Sequence, residues 1–340
     1  MENKSKRKTL MQVMMLCIFL LLAILISVSI GSANVSPWES LKIIISCSEA
    51  SEVYHTIIWK VRLPRILLSG LTGAGLALAG TTFQGLFQNP LADPHTLGVS
   101  SGAALGATIA IIFGKIPMMF PKMGQIGLFA FAGALLTTLL VYHIARAGGR
   151  VSAVHIVLAG TAISSMLSAA ISILMIFNQA QVEKVYFWTL GSFSGASWSK
   201  AAFLLILVVL CGTGMLWHSR DLDALTVGEE AAASLGVDTI HTTKSLILIA
   251  SLLVAGCVSV SGIIGFVGLL MPHILRILTG ASHRKLLPFS AIGGAVFMIL
   301  CDTCARIVAS PAEIPVGAVT ALLGGPYFIF LLYRNKKEVF

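Results

Sequence analysis

Three arginines and one short acidic segment carry most of the reactive chemistry in this 340-residue chain. Arg62 and Arg65 flank Leu63 and Pro64, three positions apart, so they share one face of any helix that holds them. Arg306 closes a long apolar run and precedes Glu313-Ile314-Pro315. A guanidinium is a rigid planar fork that matches a carboxylate, so the chemistry on offer is pairing with acidic groups. Two readings stand. Each arginine lays its stem on apolar surface and keeps its head in water, or the cluster steers and receives the carboxylates of a partner. Asp302, four residues before Arg306, is also in reach of it. The acidic segment begins at Asp221 and runs to Val237. Glu229 and Glu230 fall in the first turn of a short helix, where the helix dipole favours them, and Gly236 supplies its stop. Ala231, Ala232 and Leu235 leave one face small and apolar. A helix this short does not stand alone in water, so it packs either on the chain's own surface or on a partner.

Other chemistries are absent from the pattern. No G-x-x-x-x-G-K-[ST] phosphate loop occurs, so ATP use would belong to a separate subunit. No His-Glu-x-x-His occurs, and no apolar run holds paired carboxylates. Cys301 and Cys304 have C-x-x-C spacing but lie in an apolar run without a βαβ context, where cysteines pack as small hydrophobes. The eight histidines mostly sit at the ends of apolar runs. Neither enzyme chemistry nor a metal or cofactor site is expected.

The elements that position these residues are membrane spans. The chain is 56% hydrophobic and only 11% charged, with mean hydropathy +0.92, against about 25% charged in soluble chains. Its net charge of +9 sits at the edges of apolar runs, which excludes a nucleic-acid patch. The pattern predicts an all-α polytopic membrane protein of about ten spans, at residues 10–30, 61–83, 97–113, 124–146, 151–176, 198–217, 243–261, a short eighth ending near Arg276, 286–308 and 315–333. The first run exceeds a signal-peptide core and reads as an uncleaved span. Residues 31–60 are expected as an outer loop with a short interfacial helix anchored by Trp38 and Trp59, and 179–195 as a short outer or re-entrant helix. Ten spans place both termini on one side, with 14 of the 23 lysines and arginines there. Gly98, Gly102 and Gly106 make one small stripe, and Gly317, Thr320 and Gly324 another; in lipid such stripes allow close helix packing, and the second would also suit a wide path for a bulky cargo. Ion-driven carriers usually hold ionisable relays within their spans, and this chain has few such residues there. A secondary transporter is therefore the competing class.

The wording of the 62–106 stretch is more specific than its hydropathy. The Arg-Leu-Pro-Arg-led span is followed by Leu-Ala-Asp-Pro-His-Thr-Leu-Gly-Val-Ser-Ser-Gly-Ala-Ala-Leu-Gly-Ala (residues 91–107). With 221–237, 262–276 and 311–328, it resembles the FecCD-type permeases of bacterial ABC importers. The resemblance implies one permease domain over residues 1–340 with a cobalamin-importer-like fold. It implies a homodimer, two ATP-binding subunits that use the ATP and Mg, and an extracytoplasmic binding protein whose glutamates meet Arg62, Arg65 and Arg306. Coupling helices at about 221–240 would meet the ATPase through Leu225, Gly228, Glu229, Glu230, Leu235 and Gly236. Ser152, Ala153 and Val154 would form a cytoplasmic gate, unless that loop is a plain turn, and spans five and ten would line the path. The implied cargo is a ferric siderophore, haem or cobalamin, and the implied location is the bacterial cytoplasmic (inner) membrane, with both termini cytoplasmic.

Overall fold

A computed structural model describes residues 2–31, 36–45, 52–114, 124–146 and 153–335. Helix α1 (Glu2–Ser29) is followed by α2 (Pro37–Ile45), α3 (Glu52–Thr56), a π-helical turn (Ile57–Arg62) and α4 (Leu63–Leu86). Then come α5 (Val99–Phe113), α6 (Gln125–Ala145), α7 (Ala153–Phe177), α8 (Val182–Thr189) and α9 (Trp198–Trp217). The short α10 (Ser219–Leu225) and α11 (Glu229–Ser234) precede α12 (Thr239–Ser261), α13 (Val267–Thr279), α14 (His283–Ile307) and α15 (Val316–Asn335). Among the described residues, seven helices are long and apolar enough to cross a membrane, and three apolar ones are shorter: Val99–Phe113, Val267–Thr279 and Val316–Leu331. Together they match the ten expected spans. The expected outer turn near Pro117 and Pro121 lies outside the described residues.

Helix α4 is the axis of the packing. Its most apolar stretch is 89% buried, against 17% for α1 and α7, and α9, α12, α13 and α14 surround it. In lipid, apolar side chains gain nothing by leaving hydrocarbon, so close backbone approach has to hold the helices together. A methyl at Gly73 would sit 2.1 Å from the Gly294 carbonyl oxygen of α14, and one at Gly80 would sit 1.8 Å from that of Gly268 in α13. The same device joins α5 to α6, where a methyl at Gly106 would lie 2.1 Å from the Phe129 oxygen.

The short α13 follows a break. Gly75 packs on Cys257 halfway along α4, so α12 ends only a turn beyond mid-depth. Residues 262–266 run unwound, Gly262 and Ile264 buried and the other three half-buried; irregular backbone survives at membrane depth where protein or a water-filled cavity surrounds it. Ser192 N donates to Ser261 O at 2.8 Å, and His95 Nε2 donates to Ile264 O at 2.9 Å while its Nδ1 meets the Ser100 hydroxyl. Gly262 has φ +73, and a side chain there would strike the Trp188 carbonyl at 2.4 Å. Phe266 holds φ +69, a conformation costing a bulky residue about 1–3 kcal/mol.

The outer segment differs from its expected form. A short helix is present at Pro37–Ile45 as expected, but residues 52–60 run continuously into α4 instead of lying apart from it as loop. Ile58 is fully buried, and Trp198 Nε1 donates to the Trp59 carbonyl at 2.9 Å, fastening this entry to α9. Pro64, with no amide hydrogen and a ring that crowds the preceding turn, accounts for the wide π turn before it.

Candidate functional site

The three arginines do come together, at the end of the bundle where α1 and α14 finish and α4 begins. They come together inside the protein. Arg65 is 7% exposed and lies across Asp302, with Nε 3.0 Å from Oδ2 and Nη2 2.9 Å from Oδ1. Its Nη1 reaches both Glu313 oxygens, at 2.9 and 3.0 Å. Asp302 is fully buried and also stands 3.4 Å from Arg306 Nε, a charge contact without hydrogen-bond geometry.

The other two guanidiniums cap α1. Arg306 donates to Ser27 O at 3.2 Å, Ser27 Oγ at 2.7 Å and Ile30 O at 3.1 Å. Arg62 donates to the Val28 and Ser29 carbonyls. A helix C-terminus leaves its last carbonyls unsatisfied and carries partial negative charge, so two cations there serve both needs. Of the two readings, the one with heads resting in water is thus corrected: Arg62 is 5% exposed and the Arg306 side chain 8%. Of the two acids, Glu313 alone is substantially open, at 41%.

A cavity of about 1110 Å³ opens on the same end. Glu183, Lys184, Lys200 and Glu313 ring it, with Gln125 and Trp188, and it reaches down to Ser259–Gly262 where α12 stops. Lys200 Nζ donates across its rim to Gly195 O at 2.7 Å.

The acidic segment lies at the opposite end, beside the start of α14. Gly236 has φ +84, its amide donates to Ala233 O at 3.0 Å, and Val237 N donates to Ala232 O at 3.1 Å. This paired closure is how glycine ends a helix in the left-handed conformation. Ala232 is fully buried, whereas Leu235 stands 75% exposed beside the exposed Glu229 and Glu230. Gly228 opens the helix at φ 141 with nothing near it. Leu225 is a correction: it is 3% exposed, and its carbonyl accepts from Gln88 Nε2 at 2.8 Å. It anchors the segment to the bundle instead of facing outward. Val227 and Ile240, not singled out from the sequence, are exposed beside Leu235; hydrophobicity alone gave no sign of which apolar residues in a polar segment turn out.

The remaining candidates separate. Ser152 lies outside the described residues, Ala153 opens α7, and Val154 is exposed. Gly98 has φ +73 and leads α5 onto α6, with Gly102 against Gly133 O and Gly106 against Phe129 O. Gly317 lies against the Leu190 carbonyl and Gly324 against Phe266, while Thr320 is fully buried with its hydroxyl on Gly317 O. That face of α15 is therefore filled by protein, which corrects the expectation that it lies open to a wide path. Leu322, Leu323, Ile329 and Phe330 point outward instead. Cys301 is buried and Cys304 exposed. Among the described residues, no three His, Cys, Asp or Glu side chains converge as metal ligands.

A multi-pass helical bundle with these two polar ends has the form of an ABC importer permease, and comparison with known proteins agrees. The FecCD transport family model matches residues 19–334, so the chain belongs to that family. The hemin transport system permease protein HmuU of Yersinia pestis is 39% identical over 94% of this chain and 95% of its own length. The cobalamin import system permease protein BtuC of Halobacterium salinarum is 40% identical over 88% and 80%. The molybdate import system permease protein MolB of Haemophilus influenzae is 37% identical over 95% of both chains. A solved metal-chelate type ABC transporter in an inward-facing conformation superposes with TM-score 0.82 at 35% identity, over 94% of this chain and 97% of that one. The chain is a multi-pass ABC importer permease, a transporter and not an enzyme. The ion-coupled carrier is not favoured.

Proposed function

We propose that this chain moves a metal chelate, first of all a ferric siderophore, with haem and cobalamin as the other candidates, into the cytoplasm. In this reading two copies form the pore, two ATP-binding subunits hydrolyse Mg-ATP, and an extracytoplasmic binding protein delivers the cargo. The chain itself binds no cofactor. It sits in the bacterial cytoplasmic membrane with both termini inside, as the bias of 14 basic residues out of 23 favours. The relatives' names support the chelate class, and the molybdate relative marks an oxyanion as the outcome to test against it.

One observation carries the proposal. The arginine network and the α10–α11 segment occupy opposite ends of the same two helices, α4 and α14. The first is the docking face and the second the ATPase face, where Gly228, Glu229, Glu230, Leu235 and Gly236 make the contact. The burial of Arg62, Arg65 and Arg306 refines docking: the binding protein's carboxylates join a network that already exists. Residues 152–154 act as the cytoplasmic gate at the entry to α7.

The test is reconstitution in liposomes with a cognate ATP-binding subunit and binding protein. ATP-dependent uptake of a ferric siderophore, absent when the chain is alone, is expected. Accumulation by the chain alone on an ion gradient would overturn the reading.

A further inference from the structure

We infer that Asp223 is the positioning residue through which movement of α10 and α11 enters the transmembrane helices; this rests on the ATPase-coupling reading above. Helix α14 begins at His283, and its cap residue Ser282 has extended backbone yet makes no cap of its own. Its hydroxyl donates instead to Asp223 Oδ2 at 3.0 Å. The other oxygen, Oδ1, accepts from the His283 amide at 2.7 Å and from its ring Nδ1 at 2.6 Å. A carboxylate 60 residues upstream, in the middle of α10, therefore caps α14 from outside. An anion at a helix N-terminus satisfies free amides and the dipole together.

The joint also involves α4. The His283 ring is 2% exposed, and a methyl at Gly85 would meet its Nε2 at 2.7 Å and Leu222 at 2.9 Å. Gly85 thus lets the α10 and α14 side chains close onto the end of α4. Gln88, just past that end, grips α10 again through the Leu225 carbonyl. Helix α10 holds both long helices, whereas α11 buries only Ala232 and presents its remaining surface. A push on α11 has a direct route into α4 and α14, and the hydrogen bonds of Asp223 join that route to the start of α14.

The experiment uses the complete complex of permease, ATP-binding subunit and binding protein in nanodiscs, with phosphate release measured with and without binding protein. Wild-type stimulation is the control for the coupling reading; its absence would overturn that reading and this inference with it, whereas the variant tests this inference alone. Given stimulation, Asp223→Ala should keep co-purification of the ATP-binding subunit and basal hydrolysis, and lose stimulation at least tenfold. Should that variant not assemble, Asp223→Cys with Ser282→Cys, on a background without the native cysteines, replaces it. Closing the pair with a short bis-methanethiosulfonate should restore stimulation, and reductant should remove it again. Full stimulation in Asp223→Ala, or no restoration in the closed pair, would overturn the inference.

Discussion

Replacing Asp302 with leucine should unseat Arg65. The carboxylate is fully buried, takes three hydrogen bonds from Arg65 and lies 3.4 Å from Arg306. Removing one partner of a buried pair leaves the other charge uncompensated, at about 3–5 kcal/mol. Glu313 keeps its hold on Arg65, but being 41% exposed it offsets only the lower part of that range. With about 1 kcal/mol so offset, and at roughly 2 °C per kcal/mol for a chain of this length, the melting temperature in detergent should fall by about 4–8 °C. The double variant Arg65→Met with Asp302→Leu should recover most of the loss, because apolar packing of similar volume often matches a buried pair. In that variant Glu313 turns to water and Arg306 retains the α1 carbonyls. Fluorescence-monitored unfolding of the four proteins gives the coupling energy as a double-mutant cycle. Additive losses, or a leucine variant as stable as wild type, would refute a buried network that holds α1, α4 and α14 together.

Leu235→Asp should abolish co-purification of the ATP-binding subunit while leaving a monodisperse permease, and Leu225→Asp should do the reverse damage, collapsing the permease itself; size-exclusion profiles in detergent separate the two. Gly236→Ala meets no neighbour within 4 Å but keeps φ +84, so its cost is the local left-handed penalty of about 1–2 kcal/mol; α11 should fray, and ATP hydrolysis should couple less well with normal assembly. Glu313→Gln removes the exposed acid beside Arg65, which should tighten binding-protein docking by roughly twofold to fivefold at low salt, an effect of up to about 1 kcal/mol for a partly exposed charge. Surface plasmon resonance on nanodisc-held permease checks this, and unchanged or weaker docking would remove Glu313 from the docking face.

The spans were legible where local chemistry ends them. Residues 198–217 are helical as read, because Ser197 caps the start through the Lys200 amide. The stop at Gly236 was legible for the same reason: it needs only the residue at that position. Depth was not legible. Arg62 and Arg306 read as surface cations because the α1 groups they cap, mostly backbone carbonyls, lie 33 or more residues away, and a carbonyl leaves no mark in a sequence. Leu225 was read as a contact because nothing in a polar segment says which apolar residue turns inward; Gln88, 137 positions earlier, decides it. The continuity of 52–60 with α4 is hidden for the opposite reason. Its lysine and histidine set it apart from the span in a hydropathy average, while Ile58, which buries it, counts for little there, and Trp59 marks only an anchor.

The contact between α4 and α14 limits what can move during transport. Side-chain interfaces can repack into a second register, but Gly73 and Gly294 bring backbone against backbone, and a slide would drive a carbonyl into the next side chain. These two helices should therefore travel as one body, from the capped end at Asp223 to the locked end at Arg65. Relative motion is left to the elements held less tightly, among them α7 with its exposed face. Gly70 and Ala295 allow a direct test, since a Cβ at position 70 would lie 3.8 Å from that of Ala295, the mean spacing in disulfides at about 3.8 Å. With both changed to cysteine and oxidised, the Ile299 side chain, 3.2 Å from that Cβ, has to give slightly. ATP-driven uptake should then continue at the reduced protein's rate. Arrest on oxidation, with recovery on reduction, would mean that α4 and α14 shear past each other and that the glycine contact is one state of a moving interface.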